Sequence, residues 1–450
     1  MQPLNNKLGL WTTTSLVVGN MVGAGIFLLP AALASFGGIS LLGWCVSAAG
    51  ALVIARVFSN ASKLLPEISG GPYAYTRAGL GDFAGFLMAW GYWISVWTSN
   101  AAIAVSLISA LSTFFPLLTT SPVAAIFTGL SAIWLLTWVN TLGIRESGQV
   151  QLVTTILKLL PLVAIAAGGA FFIHWDYFIP FNTSGVSISR AVAGSAALTL
   201  YAFLGIECAT IPAGNISNPE KTIPRATMWG TGFTIFIYIL SMTVIMGLLP
   251  PKVLQHSVTP FADAAVTLWG AGARYWIGAG AALAAFGALN GWILVQGQVP
   301  MAIARDRLFP AVFAKENKKG VPALGILISS GLVSVFMSMN YTKGLVEQFQ
   351  FMLLLATLTS IIPFALVAAA YVVMVIRRNE TMTKGDWVRV LMPASLAFIF
   401  SLLAIIGAGE TIVFWGLVLL LAGVPLYVWN IWTRIKKGDK KRQEETSQFL

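Results

Sequence analysis

The chain has 450 residues, 57% of them apolar, with 27 basic and 16 acidic side chains. Soluble domains carry about 25% charge, against 10% here, so a water-soluble shell is excluded. Collagen, disorder and a disulfide scaffold fall too, because the chain is apolar, aromatic-rich and has two cysteines. What remains is an all-α polytopic membrane protein. About twenty mostly apolar residues cross the hydrocarbon core as a helix. Twelve such segments are predicted, at 9–33, 39–63, 82–112, 121–142, 149–173, 190–214, 226–249, 264–304, 322–340, 350–376, 388–408 and 411–433. The first resembles a signal peptide with an A-x-A site at Ala32-Leu33-Ala34, but its length and its glycine interruptions argue for a retained span. The eighth is too long for one crossing, and its start around Ala264–Arg274 reads as an external loop or interfacial turn.

Lysine and arginine set the orientation. With the N-terminus inside, Arg190, Lys252, Arg274 and Lys343 fall outside and Lys158 falls within a span; every other Lys and Arg falls inside. That bias is a positive-inside signal. It supports an even number of crossings with both termini cytoplasmic. It also accounts for the net charge of +11: basic loops face the anionic leaflet, so the bilayer is the expected partner and a nucleic acid is not needed. Residues 435–450 read as a solvated, flexible basic tail. Cys45 and Cys208 sit in apolar runs and read as packing residues.

Two spans invite a break. In lipid every backbone polar group must be paired, so interrupted helices survive only within protein or along a cavity. Span one carries Gly19-Asn20-Met21-Val22-Gly23-Ala24-Gly25-Ile26-Phe27, and span six carries Tyr201-Ala202-Phe203-Leu204-Gly205-Ile206-Glu207. These are the first members of two consecutive five-span sets. Interruptions at corresponding places in two halves are the mark of inverted-repeat transporters, with the site at the breaks. An unwound Gly-x-Gly presents N–H groups at a positive helix end, which suits a carboxylate. Carbonyls at the ends of the preceding half-helices suit an ammonium. The competing reading is close helix packing, since Gly19 and Gly23 also form GxxxG.

At these residues the sequence resembles the amino acid–polyamine–organocation superfamily, and within it the bacterial basic amino acid and polyamine antiporters of the arginine–agmatine type. The matching stretches are G-N-M-V-G-A-G-I-F-L-L-P at 19–30, G-G-P-Y-A-Y at 70–75, F-L-G-I-E at 203–207, N-P-E-K at 218–221 with Ile223-Pro224, and Gly291-Trp292. The resemblance implies discontinuous helices 1 and 6 and two inverted five-helix repeats, at 1–176 and 177–380. Two peripheral helices would follow at 381–434, and the tail at 435–450. It implies that Gly23, Ala24 and Gly25 bind a substrate carboxylate, and that carbonyls of Met21, Tyr201 and Leu204 receive its ammonium. Trp292 would stack on the substrate side chain with Asn100 hydrogen-bonding nearby. Asn20, Tyr92 and Glu207 would serve gating or coupling. Ala24 stands where the antiporter has a serine, so a hydroxyl contact is lost. Three departures weaken arginine specificity: Tyr201 stands for a capping tryptophan, and Ile103 and Ala356 for a methionine and a serine lining the side-chain pocket.

Lys158 lies about ten residues, roughly 15 Å, into span five. A lysine there costs about 2.5–3.5 kcal/mol or more. Its run, Ile156-Leu157-Lys158-Leu159-Leu160-Pro161, resembles sodium-independent or proton-coupled members of the superfamily, where an ammonium stands in for a sodium ion near the helix 1 break. Snorkelling is the alternative.

Together these features predict a secondary amino acid transporter working by alternating access, as an amino acid or amino acid/amine antiporter. The runner-up is a proton-coupled, sodium-independent symporter using Lys158 or Glu207. A polytopic membrane enzyme is remote: no HExxH occurs, and His174 and His256 fall in loops without metal spacing. Walker A is absent, which argues against direct ATP drive. No cofactor or metal is expected. The expected partner is a small molecule, an amino acid or its amine product, and assembly as a homodimer stays open.

Overall fold

The computed structural model describes residues 7–23, 25–66, 68, 70–143, 148–378 and 383–447. The first span is a bent pair, α1 (Leu10–Met21) and α2 (Gly25–Ala34), whose axes differ by 43°. Then come α3 (Ser40–Leu64), the short α4 (Pro72–Leu80), α5 (Asp82–Ser112), α6 (Leu117–Thr120), α7 (Pro122–Thr141) and α8 (Gly148–Gly169). The second interrupted segment opens with α9 (Ile188–Leu200), continues through 3-10 turns, and leads into α10 (Pro219–Leu248). Short helices α11 (Pro251–His256) and α12 (Pro260–Trp269) precede α13 (Ala273–Arg305), α14 (Ala323–Asn340) and α15 (Leu345–Arg378). Last are α16 (Lys384–Gly407), α17 (Glu410–Leu421) and α18 (Gly423–Ser447).

Local chemistry sets these boundaries. Helices α4, α7, α10, α11 and α12 begin at proline, whose fixed φ suits the first turn and whose missing N–H costs nothing there. The predicted eighth span, 264–304, is two elements: α12 stops at Gly270, with φ +82°, and α13 starts three residues on. Helix α18 continues to Ser447, through most of the residues expected to form a flexible tail.

Among the described residues ten helices are long and apolar enough to cross a membrane, and the bent pair α1–α2 makes an eleventh. Helix α8 is apolar over the shorter stretch Thr155–Gly169. The protein is therefore an all-helical integral membrane protein. Helix α5 is its axis: from Gly85 to Ala110 every residue is buried except Leu87, as expected of a helix apolar all round. It packs on α13 and α15. Helices α16 and α17 instead turn Leu396, Ile399, Leu403, Phe414 and Leu421 outward, toward lipid. The residues before α1 are tied to the chain after the second interruption, since Leu8 N–H donates to Asn215 O at 2.8 Å and Ser217 N–H to Leu8 O at 3.0 Å.

Candidate functional site

The first interruption is made by backbone. Val22 still donates to Val18 O at 2.7 Å, but the next amide, Gly23 N–H, turns onto Met21 O at 2.8 Å instead of reaching Gly19 O, four residues back. Met21 O also accepts from the Tyr238 hydroxyl at 2.7 Å. A carbonyl oxygen has two lone pairs, so the predicted ammonium acceptor is doubly engaged. Asn20 points its amide back along α1, donating to Leu16 O at 2.7 Å. Ala24 lies outside the described residues.

The second interruption is longer. Tyr201–Phe203 is a 3-10 turn, Leu204 is extended, Gly205 is left-handed at φ +111°, and Ile206–Ala209 is again 3-10. Gly205 is required twice over. Its φ disfavours any side chain, and a Cβ there would lie 3.0 Å from the carbonyl carbon of Asn20 and from the Met21 nitrogen. The two interruptions therefore touch backbone to backbone. One turn away, the Tyr201 ring covers Gly25, where a Cβ would sit 2.4 Å from a ring carbon. Glu207 is buried and accepts from the Tyr92 hydroxyl at 2.6 Å and from Gly205 N–H at 3.2 Å.

Between the interruptions lies a cavity of about 20 Å³. That is room for a single water-sized body, so an amino acid needs the helices to part. Of the predicted site residues, Asn20, Met21, Gly23, Gly25, Ile103, Tyr201, Leu204 and Trp292 line it. Asn100 and Ala356 do not. Asn100 faces α13 and donates to Gln296 Oε1 at 2.7 Å; Gln296 in turn donates to Ser330 Oγ at 2.8 Å. Trp93 Nε1 joins this buried network through Gln296 O and Ser329 Oγ. Ala356 is fully buried in α15. The sequence reading missed Ser99, Ile26 and Ala202 in the lining and missed Gln296 behind it. Ser99 was recoverable, since it stands four residues before Ile103 and so shares its helix face. Gln296, one turn after Trp292, is an unpaired-looking amide in an apolar helix and carried a weaker signal of the same kind.

Lys158 is buried, and its ammonium donates to Gly19 O at 3.2 Å. This is the carbonyl released where Gly23 N–H turns away, and a cation at a helix C-terminus is favoured by the dipole. A larger cavity of about 80 Å³ lies toward the end of the bundle that holds the α3–α5 connection. Its lining includes Tyr92, Tyr73, Met88, Val295 and Val299. Tyr92 thus borders it while bonding Glu207 behind the second interruption. At its outer rim Tyr73 OH donates to Asp306 Oδ2 at 2.7 Å, and Arg77 bridges Asp306 at 2.9 Å and Asp82 at 2.8 Å. Burial first, and the Asp306 carboxylate second, push the Tyr73 phenol well above its usual range, which keeps it a hydrogen-bond donor.

Residues 8–431 match the family model of the amino acid permeases. The chain belongs to the amino acid permease family. The permease is 36% identical to the cadaverine/lysine antiporter of Escherichia coli (strain K12), over 74% of each chain. It is 33% identical to the arginine/ornithine antiporter of Pseudomonas aeruginosa, over 84% of this chain and 81% of the other. It is 31% identical to the putrescine transporter PotE of Haemophilus influenzae, over 95% and 98%. The resemblance read from the glycine motifs and the transporter class is thus the family's own, and the relatives' names describe transporters rather than enzymes.

Proposed function

We propose that the permease is an amino acid antiporter working by alternating access, with an α-amino acid bound between the two interruptions. The observation that carries this is their contact: Gly205 seated on Asn20–Met21, with Tyr201 over Gly25 and Trp292 beside the same cavity. The pair Gly23 N–H···O=C Met21 is one donor and one acceptor closed on each other. A zwitterion brings one carboxylate and one ammonium, so it can replace both halves of that bond at once. The carboxylate would take the Gly23 and Gly25 amides; the ammonium would take the Met21, Tyr201 and Leu204 carbonyls. Among the described residues no acidic side chain lines the cavity, which fits neutral and cationic side chains alike, and the Trp292 face can hold either. The relatives' names, pairing an amino acid with another amino acid or an amine, favour the cationic set.

In this reading ten of twelve helices form two inverted repeats at 1–176 and 177–380, the other two are peripheral at 381–434, and a basic cytoplasmic segment follows at 435–450. Both termini face the cytoplasm of a bacterial cell, and the cavity bordered by Tyr92 is the inner route. Counterflow in proteoliposomes tests it, with labelled lysine, arginine, ornithine, cadaverine and putrescine. Uptake accelerated by internal substrate, with no response to a pH gradient, is the expected result. Uphill uptake into empty vesicles, driven by a proton gradient alone, overturns exchange. It would establish the second reading, a sodium-independent proton symporter, which the Lys158 bond to Gly19 O supports.

A further inference from the structure

We infer that the permease holds one anionic phospholipid by its phosphate headgroup in a basic groove on the lipid-facing side of α3, α15 and α16. The groove measures about 510 Å³ and lies apart from both cavities described above. Arg56, Asn60 and Lys63 enter it from one face of α3, Tyr371 from α15 and Arg389 from α16. Among the described residues no acidic side chain lines it. Among the described residues Arg56 and Lys63 make no ion pair, and Arg389 has only a long 3.9 Å contact with Asp386. That carboxylate is already held in the cap of α16, accepting from the Thr383 hydroxyl at 2.6 Å.

Depth identifies the occupant. Arg56 is exposed yet stands eight residues, about 12 Å, inside the end of α3. A guanidinium so placed snorkels to the headgroup level, where a phosphate oxygen is the acceptor that the lipid supplies. Below the groove, Met392, Leu396, Ile399, Leu403 and Ile406 form one exposed apolar stripe on α16. It runs about 21 Å, longer than one leaflet's share of the hydrocarbon core, about 15 Å. An acyl chain hanging from the headgroup therefore meets apolar side chains along its length. A free phosphate ion uses the cations but not the stripe, so the structure favours the lipid. The groove opens at the end of the bundle that carries the basic loops, where anionic lipid is enriched if that end is cytoplasmic.

Native mass spectrometry of delipidated full-length protein tests this, with dioleoyl phosphatidylglycerol and dioleoyl phosphatidylcholine at equal concentration. The expected result is preferential retention of one phosphatidylglycerol. Each cation near an anionic headgroup is worth roughly fivefold. Arg56→Gln, Lys63→Gln or Arg389→Gln alone should lower the preference by about that factor, and the triple variant should abolish it. The pair Arg56→Lys with Arg389→Lys should keep it. If the triple variant does not fold, the single variants decide. Equal retention of the two lipids, or a ratio unmoved by the substitutions, overturns the proposal. So does displacement of the adduct by millimolar inorganic phosphate, which would mark an ion site. A change in dimer population with an unaltered lipid ratio would mark a protein interface and also overturns it.

Discussion

The two interruptions solve the same problem differently. In lipid each must satisfy the backbone groups that its helix no longer pairs. The first, between α1 and α2, does so with groups it borrows: Gly23 N–H closes on Met21 O, and a Tyr238 hydroxyl and the Lys158 ammonium arrive from neighbouring helices. The second carries its own cap, because Glu207 accepts from Gly205 N–H two residues earlier while Tyr92 steadies its other oxygen. A segment closed on itself by a replaceable bond can exchange that bond for a ligand. One plugged by its own carboxylate is held for support and movement. The first interruption should therefore govern affinity and the second the rate of opening.

Four substitutions break or sharpen that contrast. The largest effect is expected from Gly25→Val, which drives carbon into the Tyr201 ring. Overpacking of about 2 kcal/mol corresponds to roughly thirtyfold in affinity, read by calorimetry on protein that remains monodisperse; unchanged affinity would remove the site from the first interruption. Glu207→Leu removes the acceptor that Gly205 N–H and the Tyr92 hydroxyl share. A buried bond lost this way is worth about 1–3 kcal/mol, so counterflow should slow about tenfold while substrate affinity changes little. An equal fall in both would erase the distinction between the segments. Lys158→Ala leaves Gly19 O without its cation. Affinity should fall by roughly fivefold, about 1 kcal/mol of lost dipole pairing; unchanged affinity would show that Lys158 does not support the first interruption. The smallest change is expected from Asp306→Asn at the rim. The Arg77 pair is partly exposed, so stability should drop by about 0.5–1 kcal/mol in a denaturation assay, with exchange still measurable.

Much of this was legible because membranes punish irregularity. Glycine and asparagine at 19–25, and Leu204-Gly205 before a buried Glu207, stand out where every neighbour is apolar, and the structure interrupts both helices there. The eighth span signalled its division by length, although Ala264–Trp269, read as loop or turn, belongs to α12. Side-chain direction was harder. Asn100 and Ser99 are adjacent, and only one faces the cavity; a helix turns each successive side chain by about 100°, and its rotation is fixed by packing partners far off in sequence. Asn100 is drawn toward Gln296, nearly two hundred positions along. Ala356 lies in the core of α15 for the same reason. The continuation of α18 to Ser447 was hidden because charge and polarity lower the apolar signal without forbidding a helix.

The clasp at Leu8 carries a mechanical consequence. Two main-chain bonds join the stretch ahead of α1 to the stretch ahead of α10, and Gly205 rests on the other end of α1. That helix is thus pinned to one partner at both extremities. It cannot tilt without dragging that partner along, so a spectroscopic label on either should report the displacement of both.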